Sequence, residues 1–343
     1  MKEAKAKNIK SQETASRKDS HMELALQSQV SEQDDRFYYE PMLSAHPKKG
    51  DTWKVKLGNK TLNFPIWISS MTGGTLKTNE VNKRLAIAAG KFGLGMGAGS
   101  SRIALEDTIK VKDFDLRPLL GDNVPYYLNF GIAQIEKSIQ EKSIDKIQKL
   151  VEEVSADGIF IHVNPLQEWM QPEGDIIQQS PLLTIRQFIK ETKLSVIVKE
   201  VGQGFGYESM KELMQLPLTA IEFAANGGTN FSLLELMRNK TKSEYLMPFV
   251  HVGHSAVEMV EISNKLLVEL DKKAKCTTFI ASGGIKTFLD GYYCTQLSKG
   301  NTIYGQASEM LRRAQISQEA LDEFIQYQIE GLLLAKAFLK IKN

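Results

Sequence analysis

TTFIASGG (277–284) and NTIYGQA (301–307) are two short runs rich in β-branched and aromatic residues, each closing on small residues. An amphipathic stretch lies between them. A run of this length bounded by turn residues reads as a buried strand. Six more runs of the same kind lie upstream: PIWISS (65–70), GLGMGAG (93–99), PYYLNFG (125–131), GIFIHVN (158–164), SVIVKEV (195–201) and TAIEFAA (219–225). Between runs, segments such as NEVNKRLAIAAGKF, SIDKIQKLVEEVSAD and LLTIRQFIKETK repeat apolar residues at spacings of three and four, the period of a helix. Strand then helix, eight times at roughly thirty residues, predicts an α/β chain folded as a single (β/α)8 TIM barrel. The barrel is expected over 47–315, after an N-terminal extension (1–46). A C-terminal helix over 316–343, in SQEALDEFIQYQIEGLLLAKAFLK, is expected to pack on the barrel.

Composition narrows the ligand. The 343 residues are 42% hydrophobic and 24% charged, with a formal net charge of +2, so no strongly basic face for nucleic acid is expected. Two cysteines, Cys276 and Cys294, form no CxxC pair, which offers neither a disulfide framework nor a zinc site. A reducing cytoplasm suits them. The N-terminal MKEAKAKNIKSQETASRKDS has no apolar segment behind its charges, and no run reaches the ~18 apolar residues that a bilayer span needs. Neither secretion nor membrane insertion is expected, and the partner is expected to be a small molecule.

Barrel enzymes carry their chemistry at the C-terminal ends of the strands, and those ends are polar here. They read SSMTGGT (69–75), GSSR (99–102), Asn129, HVNPLQEWMQPEGD (162–175), Lys199 with Glu200, ANGGTN (225–230), SGGIK (282–286) and GQAS (305–308). Glycines after strands seven and eight let backbone N–H groups approach a phosphate. Glycine is also common in any βα turn, but the two turns together, with GGT after strands one and six, point to a phosphorylated cofactor, of which FMN is the usual one. Lys199 lies inside the apolar VIVKEV, where an ammonium seldom goes unpaired. It either snorkels to solvent or neutralises an anionic reduced flavin.

The motifs RKDSH (17–21), SSMTGGT, GSSR, HVNPLQEWMQPEGD, VKEVGQGFG, GGT and ASGGIK span the barrel. Through them the chain resembles the type 2, FMN-dependent isopentenyl-diphosphate delta-isomerase family. The resemblance implies that Ser70, Met71, Thr72, Ser100, Asn129, Lys199, Thr229, Gly283, Gly284, Lys286, Gln306 and Ala307 contact FMN. It further implies that Arg17, Lys18, His21, Ser100, Arg102, His162, Asn164 and Gln167 surround isopentenyl or dimethylallyl diphosphate, with His162, Asn164 and Gln167 catalytic and Glu168 the Mg2+ ligand. RKDSH, otherwise a solvated tail, becomes a substrate lid, and a homo-oligomer (tetramer or octamer) is implied. The implied reaction moves a double bond without net electron transfer to the substrate. Its acid and base is N5 of flavin reduced by NADPH, since the rim offers Gln167 and no obvious strong side-chain acid.

Three departures touch FMN binding, the first being a sixth turn that reads AANGGT where a Ser-Gly start is common in the family. Lys286 stands where the family has Arg, a point charge replacing a fork, and the eighth turn, GQASE, lacks the usual following proline. Two other readings of the barrel stay open, an FMN-dependent 2-hydroxy acid oxidase and a non-catalytic flavin or phosphate binder. The oxidase needs a base His and an Arg in the sixth turn, and ANGGTNF has neither. His251 and His254 are expected at the surface or at a helix entry.

Overall fold

Eight parallel strands close into a barrel in sequence order: β1 (Ile66–Ile68), β2 (Gly95–Ser100), β3 (Tyr126–Gly131), β4 (Gly158–His162), β5 (Val196–Lys199), β6 (Ala220–Glu222), β7 (Thr278–Ser282) and β8 (Asn301–Gln306), which pairs back on β1. This is a TIM barrel, seen in a computed structural model that describes residues 20–21, 24–70 and 76–342.

Side chains alternate across each strand, and that alternation sorts the sequence into layers. Ile66, Ile68, Leu128, Ile161, Val198, Ile221 and Ala281 point outward into the main core beneath the helices. Trp67, Tyr127, Phe160, Ile197, Ala220, Ile280 and Ile303 point inward and form a separate apolar plug with Leu57 and Leu62. Those two leucines come from a hairpin, Val55–Leu57 paired with Lys60–Leu62, that closes the N-terminal mouth. Trp67, Tyr127 and Phe160 meet with ring centroids 5.8–6.2 Å apart. Each fully buried ring of this kind stabilises the fold by roughly 1.5–3 kcal/mol. β2 makes room for them: a Cβ on Gly95 would sit 2.1 Å from the Trp67 ring, and one on Gly97 would lie 3.0 Å from Phe160.

Two residues beyond six of these seven inward strand residues the interior turns polar, Ile303 being followed by Gly305: Ser69 follows Trp67, Asn129 follows Tyr127, His162 follows Phe160, Lys199 follows Ile197, Glu222 follows Ala220 and Ser282 follows Ile280. Period-two geometry therefore places these six side chains in one ring above the plug.

The C-terminal segment corrects the expectation of helix to the chain's end. The helix spans Gln318–Phe338, and Leu339–Ile341 then pairs antiparallel with Phe37–Tyr39. The alternation of Leu339 and Ile341 with exposed Lys340 favours a strand once Phe37–Tyr39 offers an edge. The Tyr292 hydroxyl donates to the Leu339 carbonyl at 2.8 Å and ties the ribbon to the barrel. The fourth run is also shorter than expected. β4 stops at His162 and Asn164 already precedes the helix Pro165–Met170, with Pro165 at its first turn, where a missing N–H costs nothing. Cys276 and Cys294 are free and buried, and burial pushes both thiols up to about 12, so neither supplies a thiolate at neutral pH. Among the described residues no helix is long and apolar enough to cross a membrane.

Candidate functional site

The polar ring is wired together by hydrogen bonds. Lys199, 5% exposed, donates from Nζ to Ser70 Oγ at 3.2 Å and lies 3.5 Å from the Ser70 carbonyl. Asn129 Nδ2 donates to the same hydroxyl at 3.3 Å, and Asn129 Oδ1 stands 2.9 Å from His162 Nδ1. An amide oxygen can only accept, so Nδ1 of His162 carries the proton and Nε2 keeps its lone pair. Burial first, and the Lys199 ammonium second, hold His162 down to about 3, which keeps the imidazole neutral at pH 7. Across the barrel, Ser69 Oγ donates to Glu222 Oε1 at 2.5 Å.

Above this ring lies a cleft, open to solvent and lined by Ser69, Ser70, Lys199, Glu222, Thr229, Gly283, Gly284, Gln306 and Ala307. The structure thus brings Ser70, Lys199, Thr229, Gly283, Gly284, Gln306 and Ala307 together. Gly283 and Gly284 have φ of 89° and 74°, a region that side chains disfavour. A Cβ on Gly283 would also lie 2.1 Å from the Ala225 carbonyl oxygen, and one on Gly228 would lie 3.2 Å from Gly283. Part of the glycine signal is therefore packing between the sixth and seventh turns. Gln306 Nε2 lies 3.3 and 3.4 Å from the carbonyls of Ile285 and Lys286 and so ties the eighth strand to the seventh turn.

Lys286 is not in this cleft. It is exposed, and lines a neighbouring pocket that shares Gly283 and Gly284 and includes Arg36 and Asp290. Arg36, a cation that sequence reading missed, donates to Asp290 at 2.8 Å and lies 5.2 Å over the Phe37 ring. Ser100 is exposed on the rim. Its buried neighbour Ser101 accepts from the Asn129 amide at 3.2 Å, a support that nothing in GSSR singles out.

The fourth turn forms the second half of the site. Asn164, 2% exposed, donates from Nδ2 to Gln167 Oε1 at 3.1 Å and to Glu168 Oε1 at 2.8 Å, while Glu168 Oε2 accepts from the Asp175 amide at 2.8 Å. The helical start at Pro165 causes this clustering, since positions three and four apart share a helix face. Arg102 reaches in from the second turn, 3.2 Å from Asp175 and 2.9 Å from Glu106. The Glu106 hydrogen bond leads in raising its pKa, so it stays cationic. His21 is exposed. Arg17, Lys18, Met71 and Thr72 lie outside the described residues.

Glu200, beside Lys199 in sequence, faces away and does structural work: Oε2 accepts from the amides of Gly202, Gln203 and Gly204 at 2.7, 2.5 and 2.9 Å and shapes the loop after β5. Burial raises its pKa, against those amide bonds. His251 is exposed, and His254 Nδ1 lies 2.7 Å from Glu258 just ahead of the helix Ala256–Leu270, as expected. Ser69 and Glu222 are cleft residues that sequence reading passed over. The signal existed, because Glu222 in TAIEFAA is as conspicuous as Lys199 in VIVKEV.

Three buried polar atoms in these two halves have no partner among the described residues: Glu222 Oε2, Gln306 Oε1 and Asn164 Oδ1. Buried acceptors are normally satisfied, so the residues fit a ligand that brings donors, as a flavin ring does. Among the described residues no group of three or more His, Cys, Asp or Glu could hold a metal ion. A lone Glu168 fits Mg2+, which commonly takes one or two carboxylates and completes its shell with phosphate oxygens and water.

No family model matches the chain. Among solved structures, a flavocytochrome b2 double mutant with sulfite bound superposes with a TM-score of 0.60 at 13% identity, covering 88% of this chain and 72% of that one. A mandelate oxidase mutant with a monooxide FMN adduct gives 0.55 at 12% identity, covering 90% and 88%. Identities this low speak for the fold alone. Two curated proteins named isopentenyl-diphosphate delta-isomerase, from Rickettsia typhi and Rickettsia prowazekii, are each 33% identical over 324 residues, covering 92% of this chain and 91% of theirs. A third, from Rickettsia africae, is 34% identical over 275 residues, covering 80% and 77%. On that relationship, and on the barrel that carries it, the chain belongs to the type 2 isopentenyl-diphosphate delta-isomerase family.

Proposed function

We propose that this isomerase interconverts isopentenyl and dimethylallyl diphosphate in a site that holds FMN over Lys199 and the diphosphate, with Mg2+, at Glu168. The observation that carries the reading is the juxtaposition of the two halves. The Asn164, Gln167 and Glu168 cluster adjoins β4, whose His162 leads through Asn129 and Ser70 to Lys199.

Reduced FMN, when bound, supplies an N5 able to give the alkene a proton and take one back. The chain's own residues do the rest. Lys199, whose Nζ leans on the Ser70 hydroxyl and carbonyl, offsets the charge of the reduced ring. Neutral His162, with Nε2 unprotonated, accepts a hydrogen bond at the substrate side, and Gln167 aligns the reacting carbons. Arg102 leaves its exposed pairs with Glu106 and Asp175 for the diphosphate, an exchange that costs little because exposed pairs contribute only ~0–1 kcal/mol. The family resemblance assigns Arg17, Lys18 and His21 to the diphosphate as well, and Arg17 and Lys18 lie outside the described residues. NADPH as the reductant, a cytoplasmic location and a tetramer or octamer belong to the same proposal and rest on the family resemblance.

The test is turnover of isopentenyl diphosphate with and without NADPH or dithionite. Activity should appear on reduction, with far less reductant consumed than product formed. Reductant consumed one-for-one with product would replace the isomerase reading with an oxidoreductase.

A further inference from the structure

Glu222 is 1% exposed, and among the described residues only half of its carboxylate finds a partner. Oε1 takes the Ser69 hydroxyl, whereas Oε2 is buried in the wall of the cleft with no partner among those residues. Its register partner on β5 is Lys199, the obvious counter-charge. Yet Lys199 turns to Ser70 instead, and no Lys199–Glu222 ion pair forms within 4.0 Å among the described residues. A buried carboxylate oxygen without a donor is costly to keep. Two opposite charges at one level of the barrel, facing one cleft and not satisfying each other, leave room between them for a group with both a donor and a site of negative charge.

The pyrimidine edge of a flavin is such a group. It carries an N3–H donor, and on reduction it gathers negative charge at the N1–C2 carbonyl end. Resting on the FMN reading above, we propose that Glu222 is a cofactor-holding residue whose Oε2 accepts the flavin N3–H and whose charge opposes that of Lys199 in setting the flavin's reduction potential. Lys199 favours the anionic reduced ring; Glu222 grips the ring and disfavours that charge. Ser69 then serves to aim the carboxylate by holding its other oxygen.

The full-length protein is stripped of flavin and titrated with FMN by fluorescence, and the potential of the bound flavin is read against reference dyes. This is done for wild type, Glu222→Gln and Ser69→Ala. Because hydrogen bonds to charged groups are the stronger ones, Glu222→Gln should bind oxidised FMN tenfold or more weakly. Its bound flavin should favour the reduced form by about tenfold, which is about 30 mV upward for a two-electron couple. Ser69→Ala keeps the carboxylate and should move neither value as far. Wild-type affinity and potential in Glu222→Gln would overturn the proposal, as would a Ser69→Ala variant that reproduces both changes, since the carboxylate would then matter only through Ser69. Should Glu222→Gln not fold, wild type alone decides: it should bind FMN methylated at N3 tenfold more weakly than FMN, and equal affinity overturns the assignment. A wild type that takes up no FMN at all would instead sink the flavin reading on which this one rests.

Discussion

Replacing Lys199 by Met separates the two roles that a buried ammonium can have. Lys199 is 5% exposed and leans on one hydroxyl and one carbonyl, at 3.2 and 3.5 Å. Methionine fills nearly the same space without charge, and removing buried charge in favour of apolar volume is often neutral or stabilising, by about 1–4 kcal/mol. Ser70 keeps its other partner, Asn129, so the ring need not collapse. Lys199→Met should therefore melt at the same temperature as wild type or higher when flavin is absent. With reduced flavin bound, the same change removes a favourable charge interaction. Two unit charges about 4 Å apart at an effective dielectric constant of about 20 interact by ~4 kcal/mol, and at about 30 mV per 1.4 kcal/mol for two electrons that is ~90 mV. The cleft is open to solvent, and screening on that side reduces the figure to roughly half. The bound flavin in Lys199→Met should accordingly be ~40–90 mV harder to reduce. The assay is a dye-referenced potential on the flavin-loaded variant beside a thermal melt of the flavin-free one. An unchanged potential with flavin bound would show that the ammonium does not act on the ring, and a lowered melting temperature would show that it is a structural support.

Adjacent residues of the fourth turn should fail differently. Glu168→Gln should raise the Mg2+ requirement or the KM for the diphosphate, whereas Gln167→Leu should lower kcat by ~10²-fold through lost positioning. Both should keep wild-type flavin content, and full activity in both would remove the fourth turn from the site. His162 should mark the acid limb of stability. Its folded pKa lies far below the ordinary value, so from about pH 6.5 downward the unfolded chain binds a proton that the folded imidazole refuses. Its contribution is complete above pH 6.5 and is lost as pH falls toward 3. Urea unfolding from pH 7.5 to 5 should show a steeper loss in wild type than in His162→Gln, and equal slopes would mean that the ring titrates normally in the fold.

The barrel was legible because buried parallel strands read as apolar runs and their covering helices as a 3.6-residue period. The site was legible only in part. Lys199 could be read because a charge in an apolar run demands an explanation, and the same rule applied to TAIEFAA would have found Glu222. Counting two residues on from each inward aromatic or aliphatic residue would have added Ser69. Other features have no local signal. Phe37–Tyr39 and Leu339–Ile341 are too short to announce themselves, and each is a strand only because the other lies beside it. Arg36 reaches the turn after β7 through tertiary packing on Phe37 and Tyr293, which no spacing in the N-terminal segment encodes. Glu200 shows the converse, a site-like acid beside Lys199 that the loop amides claim for themselves.

Sharing a barrel with 2-hydroxy acid oxidases does not carry their chemistry, and the sixth turn shows why. An oxidase of that kind needs a base there to take the substrate's proton and a guanidinium to hold its carboxylate. Here the polar atoms of the turn are spent on the fold. Asn226 Oδ1 accepts from the Gly227 amide at 2.9 Å, Asn230 Oδ1 caps the next helix through the Leu233 amide at 2.9 Å, and Thr229 lines the cleft. Of the two imidazoles that follow the turn, His251 is exposed and His254 is engaged with Glu258. A hydroxy acid placed over this cleft would thus find neither its base nor its carboxylate partner at the sixth turn. A second cluster of polar groups sits at the fourth turn, where Glu168, Asn164 and Gln167 share a helix start and Arg102 arrives from the second. On the proposed reading, Glu168 would hold the Mg2+ and Arg102 would meet the diphosphate, and a carboxylate beside a guanidinium suits a metal-bound diphosphate far better than a carboxylate substrate.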